Sequence, residues 1–198
     1  MFLMGTVFAF TSCTADDENP EAVKEETVIK SKLTPDVVAA TLEDIDALYE
    51  QEVQTRAVGG ELAITEEQAR ETLQPFIEEG ERVRQEILAD MNANPMDYPI
   101  GSGIELMQLE DEHLAKLGLT VYEFYNNPKI VPSAYNKWTN CLGEAFGIGK
   151  GLYNYIKGTA KLMTARVAFD IVKAFAKRSL GIVGAAIAAY EYYDCINR

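Results

Sequence analysis

One histidine and three cysteines are all that this 198-residue chain offers of the two residue types that most often ligate soft metals. A ferritin-like di-iron bundle needs a Glu-x-x-His unit on each of two helices and two further carboxylates. His113 stands alone, so that chemistry is absent. Glu110 and His113 do sit at Glu-x-x-His spacing in "EDEH", and a single such unit among many acids reads as a solvated polar face. The chain also lacks a nucleophile elbow, a CxxC pair and a phosphate loop. "GIGKG" (147–151) has no strand before it and no Ser or Thr after its lysine. Cations are scarce, with 18 Lys and Arg against 31 Asp and Glu for a net charge of −13. Nucleic-acid binding needs clustered cations to neutralise phosphates, so nucleic acid is not an expected partner. Neither of the two apolar runs, 1–13 and 179–190, reaches the roughly 20 residues that span a bilayer.

Apolar residues make up 47 % of the chain, with ten Tyr, eight Phe and the single Trp138, enough for a sizeable core. The length suits one domain with a tail, or two small domains. Charge is unevenly distributed. Residues 137–198 carry nine Lys or Arg and four acids, a net of +5; nine basic and 27 acidic residues are left for 1–136, a net of −18. Such asymmetry separates segments that attract each other or meet different surroundings.

The N-terminal "MFLMGTVFAFTSC" runs apolar from Phe2 to Phe10 and then passes through Thr11 and Ser12 to Cys13. This pattern resembles a bacterial lipoprotein signal, in which an apolar run leads to a lipobox ending in a cysteine. The resemblance implies that residues 1–12 are removed. It further implies that the Cys13 sulfur receives a diacylglycerol and its amine an acyl chain. The acids that follow, in "TADDEN", resemble the surface-export signal of Bacteroidetes lipoproteins. Several acyl chains would hold the protein firmly in a membrane, where one chain binds only marginally.

Residues 13–33 are polar and poor in aromatics, which predicts a flexible acidic tether. An acidic helical region follows over 34–136. Thr34, Pro35 and Asp36 form a helix start, with Val38, Leu42, Ile45 and Tyr49 at helical spacing behind them. Gly59-Gly60 breaks that pattern. Thr65 and Gln68 make a capping box, and Pro75 and Gly80 predict a kink or split in the helix they open. A loop is expected over 92–103. A short helix after it should close at Gly118, before a second capping box at Thr120 and Glu123. Carboxylates such as Glu78, Glu79 and Glu81 are plentiful, and nothing singles out an acid–base pair.

The cationic Gly/Ala-rich region, 137–198, divides into helices near 138–157, 160–179 and 182–195, with Gly158 and Gly181 near the breaks and Thr159 as a cap. On the second of these, Arg166, Asp170, Lys173 and Lys177 fall in one narrow wedge, while apolar side chains, Leu162 among them, surround the rest. A helix apolar almost all round belongs inside a bundle. Arg166, Asp170 and Lys173 are therefore expected as structural ion pairs, with no catalytic role for Asp170. With Cys13 assigned to lipid, Cys141 and Cys195 remain in an exported chain, which suggests a disulfide.

The expected fold is all-α: an irregular helical bundle around a buried C-terminal helix, preceded by the lipidated tether. The expected function is a non-catalytic envelope lipoprotein at the bacterial outer membrane or cell surface, without cofactor or metal. It would touch the membrane through its anchor, and a protein partner or an anionic membrane through its cationic region. Two alternatives come from other classes. One is a membrane-active, bacteriocin-like helical peptide at 137–198, released from an acidic pro-region; cationic amphipathic helices do bind anionic bilayers. The other is a hydrolase without a recognisable motif.

Overall fold

The computed structural model describes residues 26–57, 64–126, 137–147, 162–176 and 179–198. Cys13, Gly59-Gly60, Gly158, Thr159, Lys177 and most of "GIGKG" lie outside the described residues. The fold is all-α, with seven α-helices packed together among the described residues: α1 (Pro35–Ala57), α2 (Glu66–Ala93), α3 (Ser102–Met107), α4 (Asp111–Asn126), α5 (Lys137–Ala145), α6 (Ala165–Phe175) and α7 (Gly181–Asn197). No helix among the described residues is long and apolar enough to cross a membrane.

Local chemistry starts the first two helices. The Thr34 hydroxyl accepts the Val37 N–H at 3.4 Å. At α2 the Thr65 hydroxyl accepts from Gln68 N–H at 3.2 Å, and the Gln68 side chain accepts from Thr65 N–H at 3.0 Å, a complete capping box. Val38, Leu42 and Ile45 on α1, and Leu73, Phe76, Ile77, Val83 and Ile87 on α2, are all buried. The expected split at Pro75 and Gly80 does not occur, and α2 runs unbroken over 28 residues. Proline removes one hydrogen bond from the ladder, but an apolar stripe buried on both sides of it carries the helix through.

Gly118 does not close a helix, and Thr120 does not open one. Both lie inside α4, where the Thr120 hydroxyl turns back to donate to Lys116 O at 2.7 Å. Gly118 and Gly80 are instead the points at which α2 and α4 touch. A β-carbon at Gly80 would fall 2.0 Å from the carbonyl oxygen of Leu114, and one at Gly118 would fall 2.1 Å from that of Phe76. Position 76 meets 118 and position 80 meets 114, so the two helices run antiparallel. This near-contact of backbones puts α4 at the centre of the bundle, with every residue from Glu112 to Phe124 buried.

The expected buried helix near 160–179 is present as the shorter α6, capped by the Thr164 hydroxyl, which accepts the Val167 N–H at 3.3 Å. Val167, Ala168, Phe169, Ile171, Val172 and Phe175 are buried, and Arg166, Asp170 and Lys173 lie on the thin strip left open. Leu162 precedes this helix and is half exposed, so it is not part of the apolar surround. α6 packs on α2 and α4, while α7 packs on α1, α2, α4 and α5 through Ala185, Ala186, Ala188, Ala189 and Tyr192. Tyr190 of α7 stacks on Tyr49 of α1 at 3.8 Å between ring centres. Cys141 of α5 is bonded to Cys195 of α7, with α-carbons 5.7 Å apart.

The last part of the expected tether is docked on the bundle. Thr27 O accepts from Ala165 N–H at 2.9 Å, and Ile29 N–H donates to Met163 O at 2.8 Å. The Ile29 side chain is fully buried, and Tyr125 donates its hydroxyl to Ile29 O at 2.6 Å. The buried Glu79 carboxylate accepts Lys32 N–H at 2.9 Å and holds Arg82, which in turn donates to Lys30 O at 2.7 Å. Residues 27–32 are therefore part of the folded body. A single isoleucine and a set of backbone bonds dock them, which a composition average over twenty residues conceals.

Candidate functional site

The first turn of α4 carries Glu110 at its threshold, then Asp111, Glu112 and His113, with Lys116 one turn further on. The Glu110 carbonyl accepts the N–H groups of His113 and Leu114 at 2.9 and 3.2 Å, which fixes the start of the helix. Because α4 lies against α2 on one side and under the start of α7 on another, its charges are drawn inside. Glu112 and Lys116 are each 1 % exposed and His113 is 7 % exposed, whereas Glu110 faces solvent. The solvated face expected for "EDEH" is therefore a buried one at two of its four positions.

An ionised group moved out of water costs several kcal/mol unless partners replace its hydration. Glu112 has such partners on one oxygen only. Its Oε2 accepts the Leu180 N–H at 2.8 Å and lies 3.7 Å from Lys116 Nζ. Burial pushes this carboxyl up, but the Ser179 hydroxyl, the Leu180 N–H and the charge of Lys116 outweigh it and hold the group below its usual range. Burial pushes Lys116 down, against the pull of Glu112. Burial likewise lowers His113, again against the charge of Glu112. Glu112 Oε1 lies 3.2 Å from His113 Nε2, but neither atom, nor His113 Nδ1, has a hydrogen-bond partner among the described residues.

A cleft of about 330 Å³ opens beside this group, lined by Glu66, Arg70, Glu110, Asp111, Glu112 and the Gly181–Ile182 start of α7. Arg70 and Asp111 close one rim at 2.7 Å. Glu110, Glu112 and His113 each bring one ligand-type atom to within 4.8 Å of the others.

The remaining candidates divide into structural roles. Cys141 and Cys195 form the expected disulfide. Arg166 Nε pairs with Asp170 at 3.7 Å, as the i, i+4 spacing suggests. Lys173 does not complete that network: its ammonium lies over the Phe169 ring, 5.4 Å from the centre, where the ring face attracts a cation. Arg166 also donates to Asp97 O and covers the Tyr98 ring at 5.4 Å. A second cleft, about 400 Å³, lies there between Glu26, Asp90, Asp97, Tyr98 and Arg166. Asp90 is committed within it, accepting from the Thr27 hydroxyl at 2.6 Å and the Tyr98 hydroxyl at 2.5 Å. Of the carboxylates noted in sequence, Glu79 is the latch on residues 30–32. Glu112, the one at the centre of the buried group, had no distinguishing mark except its i, i+4 partner Lys116. No protein-family model, curated protein or solved structure matches this chain.

Proposed function

We propose that this is a non-catalytic lipoprotein of a bacterial envelope, held in the outer membrane or at the cell surface through Cys13, with a binding or structural role. The lipid anchor rests on the resemblance of residues 1–13 to a lipoprotein signal. The rest of the reading rests on one observation. The apolar faces of the cationic region, on α6 and α7, are buried against α1, α2 and α4 of the acidic region in one continuous core. A membrane-active peptide needs those faces free to enter a bilayer. With them occupied, the N-terminal lipid becomes the hold on the membrane, and the folded body acts as a rigid module carried on it.

Detergent phase separation and mass spectrometry of the protein from native membranes test this. Partition into the detergent phase, a diacylglyceryl-modified Cys13 and an aqueous Cys13→Ser variant are expected. An unmodified Cys13 overturns the anchor. Leakage of anionic vesicles caused by the 137–198 fragment, together with its recovery from cells as a separate species, would favour the bacteriocin-like alternative.

A further inference from the structure

We propose that Glu110, Glu112 and His113 form a binding site for one divalent first-row transition-metal ion, beside the cleft that the two glutamates line. The site does not depend on the lipid anchor.

Buried polar atoms without partners are rare, and one established reason for them is a missing ion. Here three such atoms occur on two adjacent residues, and two of them face each other. Glu112 Oε1 and His113 Nε2 lie 3.2 Å apart with no hydrogen bond between them. A cation bound by both gives each of these atoms a partner. The spacing also suits one. Bonds of about 2.0–2.1 Å in a tetrahedral site place neighbouring ligand atoms roughly 3.3 Å apart. The Nε2–Oε1 pair already has that separation. Glu110 completes a face of three ligands from the cleft side; it is exposed, so it closes the remaining distance by rotating its own side chain.

The surroundings divide the labour on Glu112. Leu180 N–H and Lys116 engage Oε2, which orients the carboxylate and leaves Oε1 free. Hydrogen bonds of that kind behind a ligand fix its orientation and sharpen affinity. Lys116 Nζ lies 3.7 Å from Oε2. The two glutamates outweigh it by one negative charge. Asp111, the other acid of the turn, is already paired with Arg70. One nitrogen and two carboxylate oxygens make a donor set for zinc, manganese or ferrous iron rather than calcium, which takes six to eight oxygens. The cleft supplies room for water or a small ligand at the open positions.

Titration of the full chain with zinc, followed by calorimetry, tests the proposal, with cobalt absorbance as a second reading of coordination. One equivalent of zinc should bind and raise the melting temperature. Glu110→Gln and His113→Gln should each weaken binding by at least about tenfold, the scale on which metal sites respond to damage near the ion. Asp170→Asn, a change in an acid on another face, should leave it unchanged. Glu110 is exposed, so its variant reports on binding even where the buried His113 change impairs folding. Absence of a one-to-one complex, or equal binding by wild type and Glu110→Gln, overturns the proposal.

Discussion

Replacing Gly80 or Gly118 by alanine opposes two effects of known size. In an ordinary helix interior the change is favourable by about 1 kcal/mol, because alanine is the best helix former and glycine among the worst. If Gly80 were merely a weak point in α2, the variant would be more stable. The structure reverses the sign. The new β-carbon would meet a backbone carbonyl at 2.0 Å for Gly80 and 2.1 Å for Gly118, where ordinary contact begins near 3.4 Å. Neither oxygen can rotate away, since each belongs to a helix backbone. Relief requires α2 and α4 to part by roughly an ångström. A gap of 0.5–1 Å already forfeits about a quarter to a half of each dispersion contact, and Phe76, Ile77, Leu114 and Leu117 flank the crossing. Overpacking costs about 1–3 kcal/mol, and a clash of backbone against β-carbon belongs at the upper end. Against the 1 kcal/mol of propensity this leaves a net loss of about 2 kcal/mol. For a protein of this size the melting temperature should fall by about 4–8 °C. Gly103→Ala is the control, because its β-carbon would meet only Leu88 Cδ2 at 3.9 Å; it should melt at or above wild type. Thermal melts by circular dichroism decide the matter. A Gly118→Ala or Gly80→Ala protein as stable as wild type would refute the close crossing.

Three further outcomes follow from the same packing. Loss of the disulfide, in a Cys141→Ser/Cys195→Ser variant, opens a closure over 54 residues, worth roughly 4 kcal/mol on the chain-entropy estimate; calorimetry with and without reductant should show the loss only in wild type. Ile29→Ala removes a fully buried side chain and should cost about 2–4 kcal/mol in urea unfolding, whereas a free tether would give no change. Burial, with Glu123 beside it, raises the Tyr192 phenol far above its ordinary value. Stability from this group is therefore complete below about pH 10 and falls as pH rises beyond it, by about 1.4 kcal/mol per unit, because the unfolded chain alone releases the proton. Urea melts between pH 9 and pH 11 should show that slope diminished in Tyr192→Phe.

What the sequence disclosed and what it hid follow from the range of the interactions. The caps at Thr34 and Thr65 use partners three residues away, so they were readable in place. The Arg166–Asp170 pair is equally local, and the disulfide followed from parity once one cysteine was set aside. Gly118 was misread because a glycine at a helix end and one at a helix crossing look alike in one dimension; only a second helix tells them apart. That error then hid the site. With α4 cut at Gly118, Glu112 and His113 belonged to a short polar helix, and charged residues on such a helix are normally solvated. Read as one helix over 111–126, the same residues sit on the most enclosed element of the fold. Lys173 went to a ring rather than a carboxylate because the buried Phe169, one turn back, presents its ring within reach of the ammonium.

The division of charge between the two regions invites an electrostatic account of how they hold together, and the structure points elsewhere. Among the described residues, the ion pairs Arg70–Asp111, Arg82–Glu79 and Arg82–Glu86 lie within the acidic region, while Arg166–Asp170 and Arg198–Asp194 lie within the cationic one. What joins the regions is α6 and α7 buried against α1, α2 and α4, the backbone bonds of residues 27–29 to 163–165, and the capture of Leu180 N–H by Glu112. Surface pairs contribute about 0–1 kcal/mol each and weaken with salt, whereas a single buried leucine or phenylalanine contributes about 1.5–3 kcal/mol. An acidic segment that merely neutralised a cationic peptide would release it in salt. Here a cut anywhere in 127–136 would leave both pieces held by a shared apolar core that salt does not loosen. Among the described residues, the cohesion between the two regions thus comes from the uncharged side chains of their shared core.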